Sequence, residues 1–322
     1  MGAKPKGYMR SWFELIRVFN VPIPLAGIFV GACAADLQLR ELWLVLPVAA
    51  LVGCAATQCF NDYEDREIDA VNAAFRPIPS GGLEAREVLV GGHLFTIAWV
   101  LLSLLYSTAA AAIVVIVYLL TRWYSRVKQI SLVHHLLLPA ALGLMPAYGS
   151  LMVSGEVHAL AAIAGVSIFL IDINMNIVGT FKDLYEGAVP ERVLPVVWGP
   201  RPAVALALGV GLLGIAVQII PVARGLCGPT PLIPLALGAA LTVHSRVELL
   251  RSPCATVGYA ALKSGRLTEC LTFPALLAGL LPLRAAAFII GALTFFALLA
   301  QTLLPEARLP EGAGANAELA RS

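Results

Sequence analysis

The sequence predicts an all-α polytopic membrane protein of about nine transmembrane helices, and three observations carry that prediction. Of the 322 residues, 59% are hydrophobic and only 13% are charged, about half the ~25% charge of an ordinary soluble domain. Mean hydropathy is +0.84. The apolar residues gather in runs of about 20, the length that crosses the hydrocarbon of a bilayer as a helix. These runs are too long for barrel strands, and backbone groups in lipid must find partners within their own segment. Such a composition excludes an ordinary cytosolic enzyme and a disordered chain. A net charge of only +2 argues against a nucleic-acid partner.

Taken in order, residues 1–12 form a basic N-terminal segment. The run that follows contains Glu14 and Arg17 and has no A-x-A-like site, so a removable signal peptide is not expected. Lys6 stands where myristoylation needs Ser or Thr. Spans are expected at about 13–35, 42–60, 87–107, 108–123, 132–153, 157–179, 202–223 and 229–247. A longer apolar stretch at about 270–304, interrupted by Pro282 and Arg284, makes one span or a short segment plus a span. The transmembrane domain is thus 13–304, and residues 305–322 read as a polar, disordered tail. The six cysteines show no metal spacing and read as small core residues. The five histidines show no ligand spacing with carboxylates and are assigned no metal.

The basic residues set the orientation. With the N terminus inside, 17 of the 22 Lys and Arg residues fall on the inner face, and only Arg40 and Arg224 fall in outer loops. This is a strong positive-inside bias and predicts a cytoplasmic N terminus. The acidic residues share the asymmetry: loop 61–86 and loop 180–201 are both carboxylate-rich and both cytoplasmic. They follow the second and sixth spans, an offset of four helices that hints at internal duplication.

The first of these loops reads NDYEDREIDAVNAAFRPIPSG. Continuing the second helix through it puts Asp62, Asp65 and Asp69 at i, i+3 and i+7 on one face, with Asn61 beside them. The loop reads either as a solvated, self-paired charged segment or, since like charges on one face repel unless a cation joins them, as the hard-oxygen cluster that Mg2+ bridging to phosphates requires, and the second reading is preferred. Arg66 and Arg76 are near enough in sequence to neutralise phosphate oxygens. The second loop carries Asp183 and Glu186 at i, i+3, preceded by Lys182. At the end of the fourth helix, RWYSRVK sets Tyr124 and Lys128 on one face with Arg126 nearby. This group reads either as a diphosphate and carbocation site or as an interfacial anchor. For Tyr259 and Lys263, which repeat the spacing, the anchor reading is preferred. Asp172 is expensive inside an apolar span and should face a polar cavity or an amide partner. Asn176 lies one turn on. Arg17 and Asn20 either line the same cavity or, for Arg17, snorkel.

Two carboxylate clusters and several cations at the cytoplasmic mouth of a helical bundle suit a substrate with a diphosphate head and a long apolar tail. Metal ions would help the diphosphate leave, and a dry cavity would shield the allylic carbocation.

These motifs resemble the UbiA superfamily of intramembrane prenyltransferases. NDYEDREID is similar to its N-D-x-x-D-x-x-x-D motif, YSRVK to its Y-x-x-x-K element, and KDLYE…LPVVWG to its second aspartate motif followed by L-P-V-x-x-G. Arg17 and Asn20 fit its R-x-x-N. DREIDAVNAAFRPIPSG looks most like the branch holding chlorophyll synthases and archaeal digeranylgeranylglyceryl phosphate synthases. The resemblance covers about residues 10–300. It implies nine helices around a central cavity and two Mg2+ ions bridging the diphosphate, one on Asn61, Asp62 and Asp65 with Asp69 supporting, the other on Asp183 and Glu186. It further implies that Arg66, Arg126, Lys128 and Lys182 hold the diphosphate and that Tyr124 faces the allylic carbon. The second motif departs from the family's D-x-x-D-x-x-G-D: Glu186 replaces the second Asp, Gly187 follows at once, and Leu194 arrives early.

The expected activity is Mg2+-dependent transfer of an isoprenoid chain from its diphosphate to a lipophilic or aromatic acceptor. A membrane terpene cyclase of the same superfamily, or a proton-coupled carrier using Asp172, are the alternatives.

Overall fold

The computed structural model describes residues 7–127, 132–184 and 193–303, and every regular element among them is helical. Helix α1 (Tyr8–Ile16) ends at Arg17, which adopts the left-handed conformation (φ 52°, ψ 57°). After a 3-10 turn at Val18–Asn20, α2 (Pro22–Ala34) starts with Pro at its first position, where the missing N–H costs no hydrogen bond. The two rods meet at 49°.

Helix α3 (Leu42–Asn72) has 31 residues and so spans roughly 46 Å, well beyond the ~30 Å hydrocarbon thickness. It runs twelve residues past the expected end at 60, carrying the whole acidic motif as one continuous helix. Helix α4 (Ala85–Leu104) opens with a reciprocal capping box between Glu84 and Glu87, and α5 (Thr108–Val127) follows. The next span is two short helices, α6 (His134–Gly143) and α7 (Met145–Ser154). Helix α8 (Ala159–Gly179) passes into a 3-10 turn at Thr180–Asp183. Then come α9 (Leu194–Val197), α10 (Pro200–Val217), α11 (Ile219–Ala223) and α12 (Leu232–Arg251). The chain closes with α13 (Ala255–Thr272), α14 (Leu277–Leu280) and α15 (Leu283–Leu303).

Six described helical segments are long and apolar enough to cross a bilayer, and the bent α1–α2 pair makes a seventh; Thr108–Tyr124 and Leu283–Leu299 are apolar but shorter. That is fewer than the nine expected. The stretch 270–304 is the end of α13, the single turn of α14, and α15 after Pro282. Helix α13 was not expected at all. It packs against α8, α12 and α15, and its charged residues lower its hydropathy below that of a lipid-facing span.

The helices approach closely where small residues allow it. A Cβ at Gly31 would collide with the carbonyl of Pro146, and one at Gly149 with the carbonyl of Ile28, so α2 and α7 cross backbone to backbone. Small residues at crossings are how helices pack where lipid removes the hydrophobic incentive. Outward faces carry large apolar side chains, such as Leu94, Ile97 and Leu101 on α4 and Phe288, Phe295 and Phe296 on α15.

Candidate active site

The helices enclose a cavity of about 280 Å³. Its mouth lies at the C-terminal end of α3, where Asn61, Asp65 and Asp69, spaced four residues apart, face inward together. Ile23, Trp99, Val117, Leu142 and Met145 make its deeper, apolar part. Arg17, Asn20, Arg76, Tyr124, Asp172, Asn176 and Lys182 all line it too, so most of the side chains expected at the site converge there.

The mouth is braced by ion pairs. The left-handed turn at Arg17 aims its guanidinium at α3, where Nη2 donates to Asp62 Oδ1 at 2.6 Å. Arg76 Nη1 donates to Asp69 Oδ2 at 2.5 Å and lies 3.8 Å from Asp62 Oδ1. Burial works against the charge on Arg76, but Asp62, Asp69 and Asp65 outweigh it and hold that guanidinium firmly protonated. Asp62 is 3% exposed and sits behind Arg17 rather than on the cavity lining. Of the expected ligands Asn61, Asp62 and Asp65, with Asp69 supporting, it is Asn61, Asp65 and Asp69 that line the cavity, while Asp62 pairs with Arg17.

Two expected phosphate-binding residues do not reach the cavity. Arg66 donates to the carbonyl of Tyr63 (2.7 Å) and to Glu67 (3.2 Å), and stacks over the Tyr63 ring at 4.6 Å. Arg126 points outward, its side chain 64% exposed and 3.7 Å from Glu64. Arg66 follows Asp65 by one residue, about 100° around the helix, and Arg126 follows Tyr124 by two, about 200°; nearness in sequence is not a shared face. Lys128 and Glu186 lie outside the described residues, as do the side chain of Asp183 and the segments 1–6 and 304–322.

Among the other lining residues, the sequence singles out Tyr259 and Asn176 but not Arg266. Tyr259 lines the cavity, with Lys263 Nζ 4.6 Å above its ring, so that pair is not only an anchor. Asn176 is held by His135: Leu194 N–H donates to His135 Nε2 (3.2 Å), which leaves Nδ1 to donate to Asn176 Oδ1 (2.6 Å). Arg266 and Glu269, paired at 2.9 Å, stand on α13 beside Asp172. A pair of opposite charges at i, i+3 within an otherwise apolar helix was the signal that could have found them.

The donor set fits Mg2+. Asn61, Asp65 and Asp69 supply hard oxygens, and Asn20 and Gln58, whose Oδ1 and Oε1 are buried with no hydrogen-bond partner, also line the cavity. Among the described residues no three His, Cys, Asp or Glu side chains are set to hold a metal unaided. Mg2+ commonly takes one or two carboxylates and completes its shell with phosphate oxygens and water.

Residues 24–255 match the UbiA prenyltransferase family. Digeranylgeranylglyceryl phosphate synthase of Pyrococcus furiosus is 28% identical over 294 residues, 89% of this chain and 98% of that protein. A UbiA homolog from Aeropyrum pernix K1 superposes with a TM-score of 0.64 at 19% identity, over 88% of this chain and 98% of that one. A UbiA homolog from Archaeoglobus fulgidus, solved bound to DMAPP and Mg2+, superposes with a TM-score of 0.56 at 15% identity, over 80% of this chain and 99% of that one.

Proposed function

The chain belongs to the UbiA prenyltransferase family, and from that premise we propose that this integral membrane prenyltransferase moves an isoprenoid chain from a prenyl diphosphate to a lipophilic acceptor with Mg2+. One observation carries the proposal: a mouth lined by aspartates and arginines opens directly onto an apolar cavity inside the helical bundle. A diphosphate with a hydrocarbon tail matches both halves of that surface. The orientation proposed from the basic residues, N terminus and mouth facing the cytoplasm, agrees with a water-soluble head entering there.

Asn61, Asp65 and Asp69 would hold one Mg2+, and the second proposed ion falls to Asp183 and Glu186. When bound, the ions neutralise the diphosphate and ease its departure. Arg17, Arg76 and Lys182 meet the remaining negative charge as the allylic C–O bond breaks. Tyr124 offers an aromatic ring to the positive charge left on the prenyl carbon. Trp99, Val117 and Met145 keep water from that cation, so the acceptor reaches it first. The Pyrococcus furiosus relative's name describes a glyceryl phosphate bearing two geranylgeranyl groups, which makes a prenylated glyceryl phosphate the first acceptor to try.

Diphosphate release by the purified protein, with Mg2+ and geranylgeranyl diphosphate, tests the proposal. Release that depends on a prenylated glyceryl phosphate or a lipid extract is the expected result. Release without any acceptor, accompanied by a cyclic terpene, would make the protein a cyclase. No release despite bound donor would overturn the reading.

A further inference from the structure

The apolar arm of the cavity stops at the level of Trp99. On α3 the lining runs inward from Asp69 at the mouth to Ala50, roughly 28 Å of helix at 1.5 Å per residue. Trp99 on α4 meets α3 at Gly53, one turn before that inner end, and lines the cavity there. About one turn further in, on the same faces of α3, α4, α5 and α7, stand Leu46, Ser103, Val114 and Tyr148. All four are 0% exposed. Beyond Trp99 the described bundle is solid core.

The indole is fixed where it stands. Its Nε1 donates to the Tyr148 hydroxyl at 3.2 Å. Ser103 Oγ donates to the carbonyl of Trp99 at 2.8 Å, which leaves the Tyr148 hydroxyl to donate to Ser103 Oγ at 3.0 Å. Each polar hydrogen of the three side chains is thus bonded, at a depth where an unmet one is costly. The Tyr148 ring also meets the indole in an edge contact, centroids 5.8 Å apart. Against α3 the fit depends on Gly53, since a Cβ there would come within 2.9 Å of Trp99 Cη2. A ring held by hydrogen bonds on one side and helix backbone on the other has no room to swing aside.

A tail anchored by its head at the mouth therefore meets a wall that does not yield. Each further buried carbon adds affinity until the wall is reached, and one more isoprene unit then overfills a packed space. We propose that Trp99, locked by Tyr148 and Ser103 and seated on Gly53, is the blind end of the prenyl chamber and sets the longest isoprenoid that the cavity takes in full. The proposal rests on the donor assignment above and adds to it a residue that selects chain length.

The test is isothermal titration of the full-length protein in lipid nanodiscs, with Mg2+ and the geranyl, farnesyl, geranylgeranyl and geranylfarnesyl thiolodiphosphates, whose sulfur link resists ionisation. Wild-type affinity is expected to climb along the series and then fall at one length. The indole is larger than an isoprene unit, so Trp99→Ala should move the maximum to a longer donor. The affinity of that donor relative to the wild-type optimum should rise about tenfold. If the alanine variant does not fold, Trp99→Phe, which keeps an aromatic wall of smaller size, should raise the same ratio about threefold. A residue that only fills the core would change stability and leave the length profile alone. Wild-type affinity that climbs through the whole series, as for a tail running out between helices into lipid, overturns the proposal, and so does an unchanged profile in the folded variants. Failure of every analogue to bind folded wild type is a different result: it removes the donor assignment, and the length limit with it.

Discussion

The two polar regions of the cavity are built on opposite plans. At the mouth, Asn61, Asp65 and Asp69 come from one helix, and the guanidiniums of Arg17 and Arg76 reach in from the flanking segments. On the inner wall, Asp172 comes from α8 and Arg266 and Glu269 from α13, nearly a hundred residues apart in sequence. The mouth has Arg17 and Arg76 beside its carboxylates and opens onto the apolar cavity. On the inner wall Arg266 is tied to Glu269, which is wholly buried and shares a hydrogen bond with Asp172.

The largest expected effect tests the mouth. Replacing Asp65 and Asp69 together by alanine should lower Mg2+-dependent diphosphate release by about 10³-fold or more; turnover within a few-fold of wild type would remove the metal from α3. Next, Arg17→Ala should leave the buried Asp62 carboxylate with the more distant Arg76, 3.8 Å away, and cost about 3 kcal/mol of stability, read as a fall in the denaturation midpoint. Adding Asp62→Asn to that variant should restore part of the loss. A smaller effect is expected on the inner wall: Glu269→Gln removes the carboxylate to which Arg266 donates, leaving Asp172 nearby, and should cost about 2 kcal/mol, with Mg2+-dependent donor binding retained. Arg66→Ala and Arg126→Ala sharpen the comparison from outside. Both residues make exposed pairs, worth about 0.5 kcal/mol or less, and the KM for donor should change less than about twofold.

The same contrast explains what the sequence revealed. The α3 motif was legible because one helix with period 3.6 carries every member, and the apolar runs announced most of the bundle. Asp62 looked equivalent to Asp65 because the two share a face to a first approximation. Which of them meets the cavity was decided by Arg17, 45 residues away and aimed by a single left-handed residue. Arg66 and Arg126 fall off the cavity lining because sequence proximity ignores the 100° advance per residue. Helix α13 escaped notice for the reason that makes it interesting: Lys263, Arg266 and Glu269 spoil its hydropathy, and only the packed bundle shows that Arg266 and Glu269 turn inward. Asp172 alone was visible as an anomaly. Its partner could not be named without the fold, since pairings between distant helices leave no periodic trace.

The arginine bracing of the mouth also bears on how the protein is made. Three aspartates on one helix end would push against each other in a bare chain, yet Arg17 and Arg76 already neutralise Asp62 and Asp69 through the protein's own contacts. Completion of the bundle after insertion into the bilayer therefore does not wait on a divalent ion. A cell starved of magnesium would accumulate idle enzyme rather than misfolded chains, and activity would return on resupply without new synthesis.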